Sequence, residues 1–90
     1  MPRPSDPWHP AEYEDADVAA FNALARGEAT PEQQVRSLRF IVEQVARYYD
    51  ISFHPENQRA TDFAEGKRFV GAQIVKLTKL NAAALRKNNE

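Results

Sequence analysis

The sequence predicts an all-α protein, a small three-helix bundle behind an extended, proline-rich N-terminal arm. Three observations carry that prediction. Four of the six prolines fall at positions 2, 4, 7 and 10, where each fixes φ and removes a backbone donor, so this stretch cannot be helix. Beyond the arm, apolar side chains recur at spacings of three and four in three separate segments, the period of a helix with one buried face. Residues that start or stop helices lie between those segments.

The arm covers residues 1–14 and holds Trp8, the only tryptophan in the chain. A large aromatic in an extended arm docks on something, either the edge of its own domain or a partner. The first helix is expected from about Asp15 to Arg26. Val18, Phe21, Leu24 and Ala25 share a face, and Glu14, Asp15 and Asp17 suit the positive end of the helix dipole. Gly27 takes the left-handed cap position. Thr30-Pro31-Glu32-Gln33 then opens the second helix: Thr30 caps, Pro31 fills the first helical position and Gln33 closes a capping box. That helix should run over 31–49, with Val35, Leu38, Ile41, Val42, Val45 and Tyr49 along one face. From Asp50 to Glu56 the pattern breaks into an extended crossover expected to tuck Phe53 inward. Asn57 caps the third helix, expected over 58–81. Its apolar face reads Phe63, Gly66, Val70, Ile74, Leu77, widened by Phe69 and Leu80. Each glycine inside a helix costs about 1 kcal/mol relative to alanine. Gly66 and Gly71 therefore suggest a close helix approach, and Phe63, Gly66, Val70 and Gly71 are the expected helix-packing residues. The tail, 82–90, should continue the helix and fray.

Ninety residues suit one domain with a thin core. No cysteine is present to staple it, which favours support from a partner or from a homo-oligomer. The apolar share is 42% and the charged share 28%, ordinary for a folded chain. No apolar run approaches the roughly 18 residues that cross a bilayer, so no membrane role is expected. The N-terminus has no apolar stretch to serve as a signal peptide. Net charge is −1 but unevenly spread: residues 1–30 carry −4 and residues 59–90 carry +4.

Chemistry is poorly represented. His9 and His54 are the only histidines and stand 45 residues apart without ligand neighbours, so no metal is expected. Three serines occur outside any nucleophile elbow, and three glycines are too few for a phosphate-cradling loop. Asp62 and Glu65, three apart and beside Lys67 and Arg68, read as a surface charge ladder rather than a catalytic pair. The expectation is a binding protein, not an enzyme, with no cofactor. Trp8, Lys67, Arg68 and Lys76 are the candidate protein-binding residues. Nucleic-acid binding through the basic third helix is an alternative that is not favoured, because the pI is near 6.1 and no helix-turn-helix spacing occurs.

The run Ala60-Thr61-Asp62-Phe63-Ala64-Glu65-Gly66-Lys67-Arg68-Phe69-Val70-Gly71-Ala72-Gln73-Ile74-Val75-Lys76-Leu77 resembles the hallmark of a family of short phage proteins named after a member in a Bordetella tailed phage. Ala29-Thr30-Pro31-Glu32-Gln33-Gln34 and Tyr49-Asp50-Ile51-Ser52-Phe53 resemble that family in the same order, so the likeness spans about residues 15–80. It departs at Asn57-Gln58-Arg59, where the family has a turn richer in glycine, aspartate and proline. The resemblance implies a tailed-phage or prophage origin near the virion-structure genes, and no catalytic activity. The expected role is a structural or assembly protein that binds other phage proteins at the head, portal or neck. It would act in the host cytoplasm during assembly and in the virion. A packaging accessory that binds nucleic acid and a host-directed adaptor or inhibitor are the alternatives.

Overall fold

The computed structural model describes residues 6–88; the prolines at 2 and 4 lie outside the described residues. Its elements are all helical: α1 (Asp15–Ala25), α2 (Pro31–Phe40) running into a π-helical segment (Ile41–Val45), α3 (Gln58–Lys79) and α4 (Ala82–Asn88). No strand occurs among the described residues.

The helix ends follow local chemistry. At the start of α1 the Asp17 carboxylate accepts the Glu14 backbone N–H at 2.9 Å. Gly27, at φ 73°, ends the helix. The Glu28 N–H then reaches back to the Ala23 carbonyl at 2.8 Å and the Gly27 N–H to Leu24 at 3.0 Å, the paired bonds of a Schellman cap. Thr30 Oγ1 accepts the Gln33 N–H at 3.1 Å, and Gln33 Oε1 accepts the Thr30 N–H at 3.0 Å. Asn57 Oδ1 accepts the Ala60 N–H at 2.9 Å at the head of α3.

Two boundaries differ from the periodic pattern. Apolar spacing carries the second helix to Tyr49, but the chain widens to π geometry at Ile41 and leaves the helix after Val45. There the Ala46 N–H bonds the Ile41 carbonyl at 2.8 Å and the Tyr48 N–H bonds Val42 at 3.0 Å. Arg47 makes the exit in left-handed backbone, φ 49°, which costs a side-chain-bearing residue about 1–2 kcal/mol. The third helix stops at Lys79, because Leu80 is extended, with ψ 144°. Asn81 then begins α4 as a separate helix, its Oδ1 accepting the Ala84 N–H at 3.1 Å.

In packing, α1 lies against α2 and α3 lies against the π segment. Neither α1 with α3 nor α4 with any other helix comes into contact among the described residues. The three long helices therefore do not enclose one shared core within a single chain. The buried described residues are small: Ala20, Ala23, Ala46 and Ala60, with Pro7, Ser37, Val42 and Gly71. The radius of gyration is 16.1 Å, against about 12 Å for a compact 90-residue domain.

Candidate protein-binding surface

Which face of α3 touches its own chain is decided by small residues. Ala60 and Gly71 are its buried positions, and a Cβ built on Gly71 would stand 3.0 Å from the Cβ atoms of both Ala46 and Tyr48. Gly71 thus marks the close approach expected of a helix glycine. Gly66 does not: nothing outside its own helix lies within 4 Å of where its Cβ would be. The expected packing face is rotated outward with it. Phe63, Val70 and Leu77 are exposed, as is Phe69 beside them. Alanines and Gly71 let α3 approach the π segment more closely than phenylalanine or leucine could. The bulky stripe therefore lies beside the packed face rather than on it: Phe63, Val70 and Leu77 are exposed, whereas Ile74 is half-buried.

The N-terminal half of α3 gathers the arm and the crossover. The Trp8 ring meets Phe63 edge-on, with centroids 5.9 Å apart. Trp8 keeps 38% of its surface exposed, so it covers part of this domain's edge. Lys67 Nζ donates to the Pro7 carbonyl at 2.6 Å and lies 5.9 Å from the Phe63 ring centroid. Burial lowers the Lys67 pKa from the usual lysine value; the Arg47 charge adds to this and Asp50 opposes it. Arg68 Nε donates to the Tyr48 carbonyl at 3.1 Å, its guanidinium lies over the Tyr48 ring, and Nη1 reaches Glu65 at 3.4 Å. The Ser52 hydroxyl also donates to Glu65. Lys67 and Arg68, expected on a partner-facing surface, therefore hold the chain's own arm at Pro7 and the turn at Tyr48 that leaves the π segment. Phe53, expected to tuck inward, is 65% exposed. His54 is held through its backbone, its N–H donating to Thr61 Oγ1 at 2.8 Å.

From Lys76 onward, α3 is basic and exposed. Lys76 and Lys79 stand in its last turn, Leu77 and Leu80 are exposed beside them, and Leu85 is exposed on α4. No ion pair engages Lys76, Lys79 or Arg86 among the described residues. Of the candidates, Lys76 thus belongs to a different surface from Trp8, Lys67 and Arg68.

One concave surface was not singled out by sequence reasoning. A groove of about 880 Å³ runs along α2 beside the residues that lead into α1, lined by Tyr13, Val35 and Phe40, by Glu12, Glu32 and Glu43, and by Arg36 and Arg39. Arg36 ties the two helices together there, donating to Asp17 at 2.8 Å and reaching Glu14 at 3.4 Å. The signal was faint: acids cluster before and within α1, but Val35 reads as a core position. A second cavity of about 240 Å³ lies under the arm, bounded by Pro7, Arg47, Asp50 and Lys67. No helix among the described residues is long and apolar enough to cross a membrane. No family model, curated protein or solved structure is found to match the chain.

Proposed function

We propose that this chain is a small structural or assembly protein of a tailed phage that binds other phage proteins, at the head, portal or neck. The observation that carries the reading is the exposed apolar group Phe63, Val70 and Phe69 on α3, beside the face that Ala60 and Gly71 pack against the chain. Scattered exposed apolar residues are ordinary, but a contiguous stripe of them at helical spacing is a docking surface. The phage setting rests on the resemblance carried by residues 60–77 and the two segments upstream. In this reading a partner helix lies on the stripe and completes the bundle that one chain leaves open, and the proline-rich arm, held by Lys67, frames its edge. The chain acts in the host cytoplasm during assembly and remains in the virion.

The nucleic-acid alternative is confined to the far end of α3, with Lys76 and Lys79, because Lys67 and Arg68 are engaged with the chain's own carbonyls. The host-directed alternative loses its anchor to the extent that Trp8 packs on Phe63. Quantitative mass spectrometry of purified virions tests the reading. A fixed copy number per particle is the expected result, lost when Phe69→Glu is introduced. Absence from particles despite abundance in infected cells would favour a host-directed role. Retention on duplex DNA that falls steeply with salt would favour packaging.

A further inference from the structure

The chain carries two complementary surfaces at separate places. The groove beside α2 has apolar lining (Tyr13, Val35, Phe40) and more acids than bases: Arg36 is paired with Glu14 and Asp17, Arg39 with Glu43, and Glu12 and Glu32 remain. Glu12 and Glu32 make no ion pair among the described residues. The end of α3 with α4 is the converse, presenting exposed Leu77, Leu80 and Leu85 among Lys76, Lys79 and Arg86. Between residues 66 and 89 the sequence has no acid at all. A basic amphipathic helix is the kind of ligand that such a groove accepts.

From this complementarity we infer that the chain self-associates, the basic end of α3 and α4 of one copy seating in the acidic groove beside α2 of another. The contact does not form within one copy, since α1 meets neither α3 nor α4. Surface area agrees. The chain exposes 7221 Å², whereas a compact monomer of 10.2 kDa exposes about 5300 Å². The excess of roughly 1900 Å² leaves room for the ~800 Å² per partner of a standard interface. Groove and basic end are different patches, so each copy offers one of each: the contact is either reciprocated in a pair or propagated head to tail. The inference rests on charge and shape and stands apart from the phage setting.

Light scattering and native mass spectrometry of the purified full-length chain test it, using two charge-reversed variants. The first carries Lys76→Glu and Lys79→Glu; the second carries Glu12→Lys and Glu32→Lys. Wild type should be oligomeric. Each variant alone should be monomeric, with association weakened by at least ~100-fold, because like charges then meet across the contact. All four positions are exposed, so helicity by circular dichroism should be unchanged. If a reversal does unfold the chain, Glu12→Gln with Glu32→Gln and Lys76→Gln with Lys79→Gln replace it, each expected to weaken association. Mixing the two reversed variants should restore a one-to-one hetero-assembly, since the acidic end of one now meets the basic groove of the other. A monomeric wild type, association indifferent to the reversals, or a mixture that stays dissociated would each overturn the inference. So would a wild-type monomer that uses Lys76 and Lys79 to bind a duplex oligonucleotide.

Discussion

Gly71 and Gly66 lie on one helix and meet opposite surroundings. At Gly71 an added Cβ would be 3.0 Å from two other Cβ atoms. Those atoms are fixed to their backbones and cannot rotate away, so α3 would have to back off the π segment. Gly71→Ala should therefore lower stability by about 1–2 kcal/mol despite its better helix propensity. Gly66 has open space, and Gly66→Ala should raise stability by up to about 1 kcal/mol. Thermal melts of the two variants check the pair: opposite shifts are expected, and equal shifts would mean that Gly71 is not a packing contact. Arg68 illustrates the same point about surroundings. Its spacing from Glu65 is a surface ion pair, usually worth little, but its bond to the Tyr48 carbonyl joins α3 to the turn that leaves the π segment. Neither the crowding at Gly71 nor the carbonyl partner of Arg68 can be read from helical spacing.

Among the elements, the α1–α2 pair depends on Asp17. Its carboxylate accepts the Glu14 N–H at the head of α1 and the Arg36 guanidinium from α2. The Glu14 N–H is the main cause of a pKa below the ordinary 3.8; burial opposes it, and the Arg36 bond and charge add to it. A carboxyl depressed in the folded state contributes stability above its unfolded value and loses it as pH falls through the folded value. Melting temperature should accordingly fall on acidification below about 3.8, and Asp17→Asn should lower it at pH 7 and flatten the acid limb. An acid limb as steep in Asp17→Asn as in wild type would assign the pH dependence to other groups. Elements were legible where side chains bond nearby backbone: Thr30, Gln33, Asn57 and Gly27 announce their caps. The π segment was not, because Ile41, Val42 and Val45 continue the helical spacing through it and no local residue marks the widening. The packed face of α3 is rotated from the expected one, keeping Gly71 and half-buried Ile74 but not Gly66, for a physical reason. Periodicity finds two faces, and assigning the bulkier one to the interior assumes that the chain is its own partner.

Viewed whole, this molecule spans 49 × 36 × 16 Å, and half of its buried described residues are alanines. Such a core contributes little, since burial stabilises by about 25 cal/mol per Å² of apolar surface and each alanine offers little surface. Larger apolar area lies outside: Phe69 is 65% and Leu77 70% exposed. If association supplies the missing burial, stability depends on protomer concentration, because anything that binds only the folded chain stabilises it by mass action. The melting midpoint of wild type should then rise with chain concentration. Phe69→Ser and Leu77→Ser separate this from an intrinsic effect. Truncating exposed side chains leaves no cavity, so the dilute chain should change by no more than about 0.5 kcal/mol. Where the residue lies in an interface, the concentration dependence should shrink with the lost apolar contact. Leu77 adjoins the basic end proposed to enter the groove and should flatten it. Phe69 lies on the stripe proposed for phage partners and should leave self-association intact while lowering incorporation into particles. A midpoint independent of concentration in wild type would show that the single chain is sufficient. Equal loss of concentration dependence in both variants would place self-association on the stripe rather than in the groove.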